Sequence, residues 1–169
     1  KKIDKDETRT GELIKLDVPF TAEDMNIEIL EVVKSEKKMV DITEAKVLVS
    51  GGRGVGKDGY QMLKDCADAL GGEVASSRAN VDDPACEWAK HEMQVGQTGK
   101  TVRPDLYLAC GISGAIQHVA GMENSDLVIA INKNDTAAIF NVSDLGVVGD
   151  VKKILPKLTA AINKYNADK

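Results

Sequence analysis

Short apolar runs alternate with polar, glycine-containing segments from residue 45 onward. Runs with the length and composition of buried strands occupy 46–49, 73–77, 106–110, 127–131, 139–142 and 146–149. Segments with an apolar face at helical spacing, or with capping residues, predict helices over 57–70, 83–92, 115–120 and 151–165. Strands and helices that alternate at this spacing predict an α/β fold built on a doubly wound parallel sheet.

Residues 1–45 differ from this pattern. Two short strands are predicted there, at 11–18 and 26–33, but too few apolar residues surround them to form a separate core. The chain opens on KKIDKDETRT, without a methionine, as a fragment of a longer or processed protein would. We therefore expect residues 1–45 to be the tail of a preceding domain with its linker, and residues 46–169 to form one domain.

Composition and charge exclude several classes of partner. The net charge is −5, with 22 basic and 27 acidic residues mixed along the chain, which disfavours nucleic acid. No apolar run approaches the roughly 18 residues of a membrane helix, so no membrane insertion is expected. Three scattered cysteines predict neither a disulfide framework nor a metal site and favour a reducing compartment.

The stretch 105–121, DLYLACGISGAIQHVAG, carries the clearest indication of a ligand site. A buried strand is followed by a glycine turn at 111–114 and a predicted helix, with Ser113 as its N-cap. Backbone N–H groups at such a junction favour an anion, and Gln117 and His118 add polar groups on the first turns. The pattern predicts a phosphate-containing cofactor, and the alternative is an ordinary strand-to-helix turn.

A second glycine cluster, GGRGVGKD at 51–58, nearly matches a phosphate-binding loop of nucleotide hydrolases. Asp58 stands where the magnesium-binding hydroxyl belongs, which disfavours ATP or GTP hydrolysis. Gly54, Gly56 and Gly59 also satisfy GxGxxG after a strand. Arg78, rather than a carboxylate, follows the second strand, so the usual NAD arrangement is disfavoured as well.

Polar residues at several strand ends point to one site. Arg78 follows a strand, and the loop 94–99 follows the predicted helix 83–92. Arg78, this loop and His118 each have an ordinary alternative interpretation. Arg78 could be a surface charge, His118 a partly exposed helix residue, and the loop a simple connection. Because the carboxyl ends of parallel strands share one edge of the sheet, we expect these groups to converge there.

Five segments together resemble the FAD-binding domain of the electron-transfer flavoprotein alpha subunit: SGGRG at 50–54, SSRA at 76–79, QVGQTGK at 94–100, GISGAIQH at 111–118 and AINK at 130–133. The resemblance covers about 45–162 and implies a Rossmann-like domain that binds FAD. It further implies an electron carrier, rather than a substrate-converting enzyme, that uses semiquinone and hydroquinone states of the flavin. Residues 80–92 depart from the family pattern and are longer, so their path and any partner contact there stay open.

The resemblance also assigns roles in cofactor binding. It implies that Thr98 lies near the flavin N5 and His118 near the pyrimidine O2, with His118 and Arg78 supplying cations and N–H donors. Asn132 and Asp150 are expected on the adenosine side, although Asp150 also has the pattern of a helix N-cap. The residues implied to bind FAD are Arg53, Ser77, Arg78, Val95, Gly96, Gln97, Thr98, Ser113, Gly114, Ala115, Ile116, Gln117, His118, Asn132 and Asp150.

The implied partners are a beta subunit, in a heterodimer, and acyl-CoA dehydrogenase-type or other flavoprotein or quinone-side redox proteins. This places the protein in fatty-acid or acyl-CoA oxidation, in the bacterial cytoplasm or the mitochondrial matrix of a eukaryote. A nucleotide-sensing or structural module that holds AMP or NAD is the alternative from another class. NADH oxidation within this chain is a third, for which the sequence offers no separate nicotinamide site. Whether the complex bifurcates electrons stays open.

Overall fold

A computed structural model describes residues 11–21, 24, 30 and 41–168. The chain divides into two compact units, Lys1–Lys38 and Met39–Lys169. In the first unit, residues 11–21 form neither helix nor strand, so the strand predicted at 11–18 is wrong. An alternating pattern supplies one apolar face, but a strand also needs a hydrogen-bonding neighbour. Except for Leu30, the strand predicted at 26–33 lies outside the described residues.

The second unit is built on one six-stranded parallel sheet, which confirms the predicted α/β class. The strands lie in the order β3-β2-β1-β4-β5-β6. In chain order the elements are β1 (Val47–Gly51), α1 (Tyr60–Leu70), β2 (Glu73–Ser77), α2 (Arg78–Val81), β3 (Gln94–Val95), β4 (Leu106–Cys110), α3 (Ile116–Val119), β5 (Leu127–Asn132), β6 (Leu145–Val148) and α4 (Val151–Ala167).

The core lies on both faces of the sheet because side chains alternate along each strand. Val49 and Leu108 face one side, where Leu63 of α1 and Leu155 of α4 cover them. Leu48 and Tyr107 belong to the other face. That second face is covered by residues outside the long helices, including Val102, Ile112, Met122 and Ile139, and His118 of α3 contacts Tyr107 there. This face of the sheet is therefore covered mainly by loops and short turns, whereas the long helices α1 and α4 cover the other face.

The helix predicted over 83–92 does not form. Between β2 and β3 the one α-helix among the described residues is α2, and a 3-10 turn covers His91–Met93. The Asp83 carboxylate accepts a hydrogen bond from the Ala85 N–H at 2.9 Å, an interaction that competes with helix formation. Cys86 and Ala89 are buried, and the Trp88 ring lies 5.7 Å from that of Tyr60. Packing against α1 thus determines the path of this unusual segment.

Trp88→Ala tests that packing. We expect it to lower the free energy of unfolding by about 2–4 kcal/mol, less than for a fully buried tryptophan because Trp88 is only half-buried. Its indole N–H is buried and has no hydrogen-bond partner among the residues that the structure describes, so Trp88→Phe removes an unpaired donor and costs less. Urea denaturation measures both variants. The exposed neighbour Glu87 supplies the control, since Glu87→Ala should stay within about 0.5 kcal/mol.

Other predicted boundaries shift for local reasons. Residues 57–59 form a turn, so α1 begins at Tyr60 and not at 57. The apolar run 139–142 forms a 3-10 turn at Ala138–Asn141, and the predicted loop at 94–95 joins the sheet as β3. The final helix forms as predicted, and the Asp150 carboxylate caps it by accepting a hydrogen bond from the Lys152 N–H at 2.9 Å.

Candidate functional site

A cleft of about 540 Å³ lies at the carboxyl ends of β1, β2, β4 and β5. In this strand order the chain reverses direction across the sheet between β1 and β4, which is where open α/β sheets bind ligands. The cleft is lined by Gly52, Arg53, Gly54, Ser77, Arg78, Ala79, Asp82, Gln94, Val95, Gly96, Gln97, Thr98, Gly111, Ile112, Ser113, Ala115, Gln117, His118, Asn132 and Lys133.

Two glycine loops meet at the switch point. The Gly52 N–H donates to the Cys110 carbonyl at 2.9 Å, and the Gly54 N–H donates to the Gly111 carbonyl at 3.1 Å. A Cβ on Gly52 would lie 2.4 Å from the Gly111 oxygen, and Gly111 itself has φ +63°. Glycine is required at both positions, because any side chain would separate the loops. The contact brings both backbones to the cleft wall.

The loop 94–100 folds back on itself and onto α3. The Lys100 N–H donates to the Gln94 carbonyl at 2.7 Å, and the Gln94 side-chain amide donates to the Thr98 hydroxyl at 3.0 Å. The Gln97 N–H donates to the Gln117 carbonyl at 2.7 Å. Gly96 has φ +139°, and a Cβ there would lie 2.8 Å from that same carbonyl. These hydrogen bonds and the close approach at Gly96 therefore hold the loop in a defined conformation against α3.

Ser113 is not the N-cap of α3, contrary to the prediction. Gly114, at φ +84°, extends the turn, so Ala115 occupies the cap position without a side-chain hydrogen bond. The Ser113 carbonyl instead accepts from the Ile139 N–H at 3.1 Å. Since α3 has only four residues, it offers little of the field that a long helix directs at an anion.

Positive side chains supply the charge that the short helix lacks. Arg53, Arg78 and Lys133 line the cleft, and Asp82 is the one carboxylate among the described lining residues. The Arg78 Nε donates to Asp82 Oδ2 at 2.8 Å, and both side chains are more than half exposed. A ligand that carries phosphate groups matches this excess of positive charge. Asp82 was absent from the sequence prediction, although the four-residue spacing from Arg78 is that of a helical ion pair.

His118 is buried, whereas a partly exposed position had been the alternative expectation. Its Nε2 lies 2.9 Å from the Tyr107 hydroxyl. Burial lowers the pKa of His118 to about 4, and the nearby Val95 backbone opposes this only in part. At neutral pH His118 therefore presents a neutral imidazole, so of the two groups predicted to supply cations, Arg78 alone carries a charge. Tyr107 was missed, because a tyrosine within an apolar strand is indistinguishable from core.

This pKa makes stability depend on pH. The unfolded chain takes up a proton on His118 near pH 6.5, whereas the folded chain resists until about pH 4. Unfolded protein thus binds more protons in that window, and the free energy of unfolding falls as the pH drops through it, by roughly 3 kcal/mol at most. Denaturation of FAD-free protein at a series of pH values, compared with His118→Gln, measures this. Parallel curves for the two proteins would contradict a lowered pKa.

Most of the residues predicted to bind FAD line the cleft, and three do not. Gly114 lies behind the wall, Ile116 is 79% exposed, and Asp150 serves as the cap of α4. Asn132 lines the cleft, but its side-chain amide already donates to the Ile112 carbonyl at 2.7 Å. Contact of these residues with FAD stays a prediction.

The cleft fits a dinucleotide cofactor. Its volume falls within the roughly 300–1,000 Å³ of small-molecule and cofactor sites. Glycines at 52, 54, 96 and 111 let a ligand approach the backbone, and the positive charge of Arg53, Arg78 and Lys133 suits a ligand that carries phosphate groups. Among the residues that the structure describes, no helix combines the length with the apolar character that crossing a bilayer requires.

Comparison with known proteins agrees with this site. Residues 41–123 match the family model described as "Electron transfer flavoprotein FAD-binding domain". The chain is 56% identical over 147 residues (86% of this chain, 43% of that protein) to Protein FixB of Clostridium saccharobutylicum. It is 52% identical over 161 residues (95% and 48%) to the electron transfer flavoprotein subunit alpha of Thermoanaerobacterium thermosaccharolyticum. It is 47% identical over 151 residues (87% and 40%) to the acryloyl-CoA reductase electron transfer subunit beta of Anaerotignum propionicum.

The chain spans about half the length of the curated relatives that it matches. The motif segments at 50–54, 76–79, 94–100 and 111–118 all lie inside the range of the family model. Those same segments supply most of the cleft lining. The chain therefore belongs to the electron transfer flavoprotein alpha-subunit family, and it carries that family's FAD-binding domain.

Proposed function

We propose that this protein carries electrons between a dehydrogenase and a second redox protein through FAD held in the cleft. One observation carries the proposal: the five motif segments, which are far apart in the sequence, meet around a single cleft with three cationic side chains. FAD, when bound, supplies reversible acceptance of one or two electrons. The chain supplies binding, orientation and charge, and needs no group that performs proton chemistry on a substrate.

The residues divide by the part of FAD that they would hold. Arg53 and the turn at 111–115 would face the pyrophosphate, where backbone N–H groups and a guanidinium suit phosphate oxygens. The loop 94–100 would wrap the flavin, with the Thr98 hydroxyl already oriented by Gln94. His118 would lie at the pyrimidine end as a neutral group, and Arg78 would place its charge beside the ring. Asn132 would face the adenosine.

The reduction potential of bound FAD would depend on these groups. Accepting an electron makes the flavin more negative, so a nearby cation stabilises the reduced cofactor more than the oxidised one. Arg78 lies on the cleft wall with its guanidinium paired to Asp82 and still 65% exposed as a side chain. An exposed guanidinium is free to turn toward a ligand, whereas a fully enclosed one is not.

The partners that we propose follow from the relatives. A beta subunit would complete a heterodimer, since many relatives are named as alpha subunits of electron transfer flavoproteins. One relative is named as a subunit of acryloyl-CoA reductase, which favours acyl-CoA dehydrogenase-type proteins as donors or acceptors. Most of these relatives are bacterial, so we place the protein in the bacterial cytoplasm.

Reduction by a dehydrogenase tests the proposal. The full-length protein, purified with its beta subunit, should be yellow. Its flavin absorbance should bleach when a catalytic amount of an acyl-CoA dehydrogenase and an excess of its acyl-CoA substrate are added anaerobically, and it should recover when an acceptor is added. A complex that takes up AMP or NAD but no FAD would favour the nucleotide-sensing alternative. A yellow complex that no dehydrogenase reduces, although dithionite does, would contradict the carrier role.

A further inference from the structure

A buried polar contact connects the sheet to the cleft wall. Tyr107 is fully buried in β4, and its hydroxyl lies 2.9 Å from Nε2 of His118 on α3. His118 lines the cleft, whereas Tyr107 does not. Tyr107 belongs to the core cluster that also contains Val128, Ala130 and Met122, and His118 is buried beside it. Buried polar groups are costly unless they are hydrogen-bonded, so the contact between the two satisfies both.

The proton positions follow from the two groups. Burial raises the pKa of the Tyr107 phenol, so that hydroxyl keeps its proton, and His118 is neutral at pH 7. A neutral imidazole carries one N–H, and its other nitrogen accepts. If the phenol donates to Nε2, the imidazole proton sits on Nδ1. Nδ1 is buried and has no hydrogen-bond partner of good geometry among the described residues, although the Val95 backbone lies close enough to act on the imidazole.

The Tyr107 hydroxyl has one hydrogen-bond partner of good geometry among the described residues, which is Nε2 of His118. If the imidazole donated to the phenol oxygen, the phenol proton would be left buried without an acceptor, and an unpaired buried donor is costly. Donation from the phenol to Nε2 is therefore the arrangement that uses the phenol proton.

The position of His118 also depends on this contact. Its helix, α3, has only four residues and no side-chain cap, so the backbone alone holds it weakly. The ring of Tyr107 comes from a central strand that is hydrogen-bonded to β1 on one side and β5 on the other. A rigid strand thus supplies the anchor that the short helix lacks.

We propose that Tyr107 is a positioning residue for His118: its phenol, bonded to Nε2, holds the imidazole in one orientation and as the Nδ1–H tautomer on the cleft wall. The inference rests on the proposed function insofar as His118 faces FAD. A bound cofactor then meets a fixed, neutral imidazole rather than a mixture of tautomers, and pre-organisation of this kind strengthens binding.

Tyr107→Phe in the intact FAD-loaded complex tests the proposal, with Tyr60→Phe as the matched control. Tyr60 loses the same hydroxyl but packs against Trp88 and does not line the cleft. We expect Tyr107→Phe to raise the dissociation constant of FAD about two- to twelvefold, the equivalent of one lost hydrogen bond, and Tyr60→Phe to leave it unchanged. In a His118→Gln background the effect of Tyr107→Phe should disappear, because the phenol then has no imidazole to hold.

Nitrogen-15 spectra of ring-labelled histidine separate this inference from the electron-transfer role. In FAD-free full-length protein, His118 should show one tautomer protonated on Nδ1, and Tyr107→Phe should convert it to a mixture. This measurement needs no electron transfer, so it tests the positioning role of Tyr107 even if the carrier role proves wrong. A tautomer mixture in the unmodified protein, or a Tyr107→Phe effect on FAD that persists in His118→Gln, would overturn the proposal. Should Tyr107→Phe not fold, the spectrum of the unmodified protein still decides.

Discussion

Gly114→Ala should lower the free energy of unfolding by about 2–5 kcal/mol. Gly114 has φ +84°, where a side chain costs about 1–2 kcal/mol. An added Cβ would also lie 2.1 Å from the Ile139 nitrogen and 2.5 Å from its Cα. That backbone cannot move freely, since the Ile139 N–H donates to the Ser113 carbonyl and the Ile139 side chain is fully buried. Overpacking of this kind costs a further 1–3 kcal/mol, roughly.

Gly71→Ala is the matched control. Gly71 ends α1 at φ +66°, in the same conformational region, but nothing lies within 4 Å of its added Cβ. It should therefore show the conformational cost of about 1–2 kcal/mol alone. Urea denaturation of the FAD-free variants measures both. Equal losses at the two positions would mean that crowding against Ile139 contributes nothing, and that the turn at 111–115 adapts to a side chain.

Arg78→Ala should lower the first reduction potential of bound FAD by on the order of 60–130 mV. A hydrogen bond to a charged group is worth roughly 1.5–3 kcal/mol, and about 1.4 kcal/mol corresponds to 59 mV for one electron. The guanidinium favours the more negative, reduced cofactor, so its loss makes reduction harder. Potentiometric titration of the intact complex measures the shift. FAD should stay bound, because the loops at 94–100 and 111–118 remain.

Two further variants make this result specific. Arg78→Lys should restore part of the potential, since a compact ammonium keeps the charge but cannot lie flat on the ring. Arg103→Ala removes a similarly exposed arginine that pairs with Asp126 and does not line the cleft. The reduction potential of FAD in this variant should therefore match that of the parent. If Arg78→Ala also titrates like the parent, the guanidinium serves only its ion pair with Asp82, and the flavin lies elsewhere in the cleft.

The pattern of apolar positions predicted the sheet well, because a strand buried on both faces is a continuous apolar run bounded by turn residues. β2 and β4 match the predicted 73–77 and 106–110 to the residue. The motif segments also identified the ligand edge, since strand ends in a parallel sheet converge whatever the details of the loops. Fold class, family and the position of the cleft were thus available from the sequence.

Elements whose form depends on contacts with distant parts of the chain could not be predicted from the sequence. The helix predicted at 83–92 was lost to an Asp83 turn and to the packing of Trp88 on α1, which no local propensity describes. β3 has two residues and exists only because β2 lies beside it. Ser113 had the right chemistry for an N-cap, but Gly114 lengthened the turn and moved the N-cap position by two residues, to Ala115.

The tertiary structure also decided the electrostatics of the site. Sequence alone names His118 but not its charge, which depends on how completely the loops around it exclude water. Tyr107 appears in the sequence as one more apolar strand residue, and only the packing of α3 over the sheet brings its hydroxyl to His118. Periodicity records which face of an element is buried, whereas a pKa and a hydrogen bond depend on what another element places against that face.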